Sequence, residues 1–222
     1  MSNQDRSNTT KKSTVYVALI TALAIIIGSV ILGLGGQTTP QEPTPEAAPA
    51  VELPNAGITE SNKATITFTT NQGEIVIETT PALALLTVNA IAALAQKNYF
   101  DNTICHRLTT EGIFVLQCGD PTGTGTGGPG FNIPDENLPE AVENNYPAGT
   151  VAMANAGPGT SGSQFFLVYQ DTSLGPDYTI WGSITSGLDI LQTIASAGVV
   201  DGGADGAPLT GVTIESTKVT IS

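Results

Sequence analysis

FDNTICHRLTTEGIFVLQCGD, residues 100–120, and MANAGPGTSGSQFF, residues 153–166, are the two stretches on which the reading of this chain turns. The first holds the only histidine, His106, both cysteines, Cys105 and Cys118, and Arg107, the one arginine besides Arg6. Each stretch also sets a glutamine among apolar residues, Gln117 in the first and Gln164 in the second. A lone arginine among amide and apolar side chains points to a site for a neutral polar group. An amide carbonyl is the natural candidate.

Composition narrows the classes. The chain has 222 residues, 40% hydrophobic and only 12% charged, with a formal net charge of −13. That length fits one ordinary domain plus additions. From Lys63 onward there are four basic and fifteen acidic residues, a balance of −11. Nucleic acid and anionic lipid surfaces both need basic patches, so neither is expected as a partner. Two cysteines are too few for a disulfide scaffold, and with one histidine they are too few for a zinc site. No metal and no cofactor is expected.

Residues 15–34, VYVALITALAIIIGSVILGL, carry no charge over a length that spans a bilayer as a helix. Arg6, Lys11 and Lys12 precede this run and no further base follows until Lys63. The positive-inside rule then puts residues 1–14 in the cytoplasm and the remainder outside the cell membrane. A cleaved signal peptide is the competing reading, with a shorter apolar region and a small-residue cleavage site. Residues 35–62 carry Pro40, Pro43, Pro45, Pro49 and Pro54 and read as a semi-stiff spacer.

The folded domain is expected over 63–222. Residues 64–70 and 74–79 alternate apolar and polar around Asn71-Gln72-Gly73, which predicts a β-hairpin. Pro81 is placed to open a helix running to about Lys97, and a second helix is expected over 188–197. Short β-like runs divided by Gly, Pro and Asn fill most of the rest, ending in a strand over 212–221. The pattern predicts a mainly β fold, a closed antiparallel barrel capped by two α-helices.

Several motifs have plain explanations. GTGTGGPG at 123–130 fits a phosphate-loop spacing, but no helix pattern follows it, so a loop of close backbone approach is the better reading. DGGADG at 201–206 lacks the alternate ligands of a calcium loop and reads as a turn. GTSGS at 159–163 is not a nucleophile elbow. Cys105 and Cys118 could form a disulfide if they lie opposite each other, or remain buried thiols. Arg107 taken alone could be a structural salt-bridge partner, since acids are plentiful.

In order and spacing, Phe100 with His106-Arg107, then Phe114, Gln117 and Gly119-Asp120, then GTGTGGPG, MANAGPGTSGSQFF and YTIWG resemble the cyclophilins. These are prolyl cis-trans isomerases. The resemblance covers residue 63 to the C-terminus and takes a bacterial form in HRLTTEG. It implies an eight-stranded barrel, activity on Xaa-Pro bonds and proline-containing polypeptides as partners. It further implies that Arg107 is catalytic, that Phe114 and Phe166 form the floor and wall of a proline pocket, and that Gln117 stands beside the arginine. Ala154, Asn155 and Ala156 correspond to a backbone-binding strip, Gln164 to a second amide contact, Leu174 to the pocket rim and Gly125 to a neighbouring groove. Val115 stands where methionine is frequent, Tyr178 where histidine is, and Ser173 where cyclosporin-sensitive members have tryptophan, so tight cyclosporin binding is not expected. Thr109–Gly112 contains two extra residues. His106 should point away from Arg107 on the opposite strand face and is read as structural. The whole is expected to be a membrane-anchored isomerase with a monomeric extracytoplasmic domain. The alternative is a proline-peptide binding module with little turnover.

Overall fold

β1 (Ala64–Thr70) and β2 (Gly73–Thr79) form the hairpin that the alternation predicts. Ile66 and Phe68 on β1, and Ile75 and Ile77 on β2, are all at most 1% exposed, while their neighbours in sequence are not buried. Period-two alternation puts every second side chain on one sheet face, so this face is the core side. These elements belong to a computed structural model that describes residues 52–222. The expected spanning helix at 15–34 and residues 35–51 of the spacer lie outside the described residues. Among the described residues no helix is long and apolar enough to cross a membrane.

α1 (Leu85–Gln96) begins later than the proline suggested. The Thr80 carbonyl accepts from the N–H groups of Leu83 at 3.0 Å and Ala84 at 3.1 Å, so Pro81 lies in a turn before the helix. The helix has no capping side chain of its own. Its free N–H groups are met by a distant carboxylate instead: Glu136 accepts from Leu86 N–H at 3.1 Å, Thr87 N–H at 2.8 Å and Thr87 Oγ1 at 2.7 Å. An anion at a helix N-terminus satisfies open donors and opposes the positive end of the helix dipole.

Then follow β3 (Thr103–Ile104), β4 (Arg107–Thr109), β5 (Val115–Cys118), β6 (Thr150–Met153), β7 (Phe165–Val168) and β8 (Ile180–Ser186). α2 (Leu188–Ala197) matches its expected range, and β9 (Asp205–Gly206) and β10 (Thr213–Ile221) complete the chain. The strands make one antiparallel sheet in the order β3-β10-β1-β2-β8-β6-β7-β5-β4-β9. The expected eight strands become ten because β3 on β10 and β9 on β4 add a two-residue pairing at each end. Among the described residues no strand pair links β3 to β9, so the ladder is a curled sheet rather than a fully hydrogen-bonded barrel. Its margins are nevertheless tied. Only Cys105 and His106 separate β3 from β4, and a disulfide joins Cys105 to Cys118 on β5.

The core inside the curl centres on Phe68, Phe100, Phe165 and Trp181. Phe68 stacks on Phe165 at 5.2 Å between centroids, and Phe100 and Trp181 meet Phe165 edge-on at 5.8 and 5.9 Å. Packing reaches back before Lys63. Ile58 is 4% exposed, and buried Asn89 on α1 accepts from Ile58 N–H at 2.9 Å and donates to the Ile58 carbonyl at 2.8 Å. The last residues of the stretch read as spacer therefore pack on the domain.

Candidate active site

The site grows from the register of five strands. Arg107 on β4 pairs Gln117 on β5, Gln117 pairs Phe166 on β7, Phe166 pairs Ala152 on β6, and Ala152 pairs Ile180 on β8. Directly opposed residues of antiparallel strands share a face. This row faces away from the main core. Beneath and around it lies a second apolar cluster of Val115, Tyr146, Ala152, Phe166 and Val168, with Ile113, Leu174 and Tyr178 packed against it.

The row borders a hollow of about 200 Å³ lined by Arg107, Ile113, Val115, Gln117, Ala154, Asn155, Phe166, Leu174 and Tyr178. Eight of these nine were expected from the sequence; Ile113 was not. Phe114 points elsewhere. It meets Tyr169 at 6.0 Å and lines a larger hollow of about 570 Å³ that contains neither Arg107 nor Gln117. The reason is strand alternation: Gln117, Val115 and Ile113 fall on one face, so Phe114 falls on the other. Ile113, and not Phe114, is therefore the residue of this stretch that lines the hollow, and the resemblance's assignment of Phe114 to the pocket floor is corrected.

A hydrogen-bond relay crosses the row with one polarity. Arg107 donates from a terminal nitrogen to Gln117 Oε1 at 3.2 Å, and Gln117 Nε2 donates to Gln164 Oε1 at 2.8 Å. Gln164 Nε2 then donates to the carbonyls of Gly125 at 3.0 Å and Gly127 at 2.9 Å. Each amide orientation is fixed because its oxygen faces a donor and its nitrogen faces acceptors. On its other side Arg107 donates to Asp205, Nε to Oδ1 at 2.8 Å and a terminal nitrogen to Oδ2 at 2.7 Å. The hydrogen bond to Asp205 raises the arginine pKa and lowers that of the acid, so both stay ionised.

The glycine loop is built on buried Asp120. Its carboxylate accepts from Thr122 N–H and Oγ1, from Gly125 N–H at 2.6 Å and from Gly127 N–H at 3.1 Å. Burial opposes its ionisation, but those hydrogen bonds outweigh burial and hold its pKa at about 2. A Cβ at Gly127 would collide with this carboxylate, which explains glycine there. Gly125, Ala156 and Gln164 line the adjoining groove of about 450 Å³, shared at its edge with Gln117, Ala154 and Asn155. His106 lies under Gly125, away from the hollow, as alternation predicts. Burial lowers its pKa, so it is neutral near pH 7.

The peptide strip is partly self-bonded. The N–H of Ala154 donates to the Gln164 carbonyl at 2.9 Å and that of Ala156 to Thr160 Oγ1 at 2.8 Å. Asn155 Nδ2 donates to the Asp177 carbonyl at 2.7 Å, holding the loop that carries Tyr178. Tyr146 supports the same loop. Its hydroxyl donates to the Tyr178 carbonyl and accepts the Tyr178 N–H, both at 3.1 Å. Burial pushes the Tyr146 pKa up to about 12. Tyr146 and Asp205 carry no sequence signal of their own, because what places them is contact with residues far along the chain.

The arrangement presents a charged fork, an apolar hollow the size of a small ring and a backbone edge, with no nucleophile–base pair. Comparisons with known proteins agree. A family model described as cyclophilin type peptidyl-prolyl cis-trans isomerase/CLD matches residues 65–219. The chain is 45% identical over 201 residues to a probable peptidyl-prolyl cis-trans isomerase B of Mycobacterium leprae, covering 85% of this chain and 68% of that protein. It is 46% identical over 188 residues to the protein of the same description from Mycobacterium tuberculosis strain H37Rv, covering 78% of this chain and 61% of that one. A crystal structure of a Cryptosporidium parvum cyclophilin type peptidyl-prolyl cis-trans isomerase aligns with a TM-score of 0.62 at 29% identity, covering 71% of this chain and 98% of that one. A structure of the same C. parvum protein in the presence of the dipeptide Ala-Pro aligns at 0.61 and 30%, covering 70% and 98%.

Proposed function

The chain belongs to the cyclophilin-type peptidyl-prolyl cis-trans isomerases, and from that premise we propose that Arg107 and the hollow beside it accelerate rotation about Xaa-Pro bonds in exported polypeptides. The observation that carries the reading is the meeting of one guanidinium with an apolar hollow of about 200 Å³.

An amide rotates slowly because its partial double bond presents a barrier of ~18–20 kcal/mol. Cis and trans Xaa-Pro differ by only ~0.5–1 kcal/mol, so both occur in unfolded chains. A catalyst needs neither nucleophile nor metal; it must bind the twisted state better than either planar one. Twisting breaks conjugation and leaves a lone pair on the imide nitrogen. Arg107 donates a hydrogen bond to that lone pair, which is absent in the planar amide. Val115, Ile113, Phe166 and Leu174 grip the proline ring, with the Tyr178 ring at the edge. Asn155 and its neighbours Ala154 and Ala156 align the preceding residues, and Gln117 steadies the guanidinium. The C. parvum structure was obtained in the presence of the dipeptide Ala-Pro, a molecule with one bond of this kind.

The apolar run at 15–34 and the proline-rich spacer support a cell-membrane anchor that holds the catalytic domain outside the cytoplasm, where newly exported chains fold. In a protease-free Xaa-Pro assay the full chain should accelerate isomerisation and Arg107→Ala should not; equal rates would remove Arg107 from the mechanism. External protease should digest the domain in intact cells, and full protection would refute the orientation.

A further inference from the structure

We propose that Asp205 is a positioning residue for Arg107, holding the guanidinium plane so that its free N–H groups face the proline hollow. The proposal rests on the assignment of Arg107 above. Its source is the DGGADG segment at 201–206, whose reading as a turn leaves its second acid without a role.

That segment is built onto the sheet. β9 pairs β4 through Leu108 with Gly206 and Thr109 with Asp205. Thr110 N–H donates to the Ala204 carbonyl at 2.8 Å, and Val200 N–H to the Ala207 carbonyl at 2.9 Å. The Asp205 backbone is therefore fixed next to the strand that carries Arg107. Asp205 does not line the hollow, so it approaches the arginine from behind.

The contact is a two-pronged fork, with Nε at 2.8 Å and a terminal nitrogen at 2.7 Å from the two carboxylate oxygens. Such a fork fixes a plane as well as a distance. Of the five guanidinium N–H groups, two go to Asp205 and one to Gln117, which leaves one on each terminal nitrogen. Gln117 alone, at 3.2 Å, offers a single anchor to a long side chain. The side chains are 37% and 53% exposed, and ion pairs this open add little to folding. The consequence of the pair is orientation, and a misplacement on the order of 1 Å can lower a rate by up to ~100-fold. An opposing effect exists: a carboxylate at the guanidinium weakens it as a donor. If that effect dominated, removing Asp205 would speed the enzyme.

The test compares full-length wild type, Asp205→Ala, Asp205→Asn and Arg107→Ala on one Xaa-Pro peptide, with the Arg107 Nε–H NMR resonance recorded in parallel. Asp205→Ala should lower kcat by roughly 10-fold with KM within about twofold, and should broaden the Nε–H signal. Asp205→Asn, which keeps one acceptor, should fall between. A kcat for Asp205→Ala within twofold of wild type, a faster one, a loss confined to KM or an unchanged Nε–H signal would each overturn the proposal. Arg107→Ala separates the two claims. If it is fully active, the assignment of Arg107 fails; if it is inactive while Asp205→Ala is not impaired, only the positioning role fails.

Discussion

Two neighbouring rows of the same five strands do different work. The row through Leu108, Leu116, Leu167, Val151 and Gly182 faces the curl, and its four side-chain-bearing members are at most 1% exposed. The adjacent row through Arg107, Gln117, Phe166, Ala152 and Ile180 faces the other way and carries the site. The side chains of the first row are all aliphatic. The second mixes a charge, an amide, an aromatic ring and a small residue over its own separate apolar cluster. A one-residue step along each strand changes packing into chemistry, because side chains alternate across a sheet. The contrast implies that inward substitutions should cost stability and outward ones activity.

The largest stability effect belongs to the inward side. Trp181→Ala should destabilise the domain by ~3–5 kcal/mol in denaturant titration, since its side chain is fully buried against Phe165. Replacing Cys105 and Cys118 together by alanine should cost about 3 kcal/mol, the scale for closing a loop of this size. A negligible loss would mean that the disulfide does not restrain the sheet margins.

Asp120 comes next and sharpens the comparison, because it supports the groove from the core side. Its carboxyl titrates at about 2 in the fold against an ordinary 3.8. Its stabilising contribution is therefore complete above the ordinary value and lost as pH falls through about 2. Asp120→Asn should cost on the order of 2 kcal/mol at neutral pH and flatten that acid limb of the stability curve. An unchanged acid limb would show that another carboxylate is responsible.

Smaller effects belong to the outward side. Leu174→Ala should raise KM several-fold, roughly 1 kcal/mol of lost ring contact, with little change in unfolding midpoint. His106→Gln should leave kcat/KM within about twofold and its pH profile flat across roughly pH 6 to 8, since no proton transfer is involved. A profile that titrates in that range and is abolished by His106→Gln would give the histidine a role that its place beneath Gly125 does not.

Much of this division was legible in the sequence where the signal is local. The β1–β2 hairpin and α2 follow from alternation and helical spacing, and their ranges match within a residue. Eight of the nine residues lining the hollow follow from the family resemblance that the motifs between β4 and β8 carry. What escaped depends on distant contacts. The open N–H groups at the start of α1 are met by Glu136, 50 residues from Leu86. Asp205 reaches Arg107 from 98 residues away. Phe114 was misplaced for another reason: a motif gives the order of residues but not their strand face, and the register that puts Gln117 toward the hollow turns Phe114 away from it.

The central claim is that the outward row catalyses rotation, with Arg107 acting on the twisted bond. Magnetisation-exchange NMR on an Ala-Pro peptide tests it most directly, because it reads cis–trans interconversion and binding in one sample. Wild type should produce fast exchange between cis and trans signals. Arg107→Ala should still shift the peptide signals on binding while exchange drops by roughly 100-fold or more, with an unfolding midpoint close to wild type. Wild-type binding without accelerated exchange, or Arg107→Ala exchanging as fast as wild type, would contradict the account.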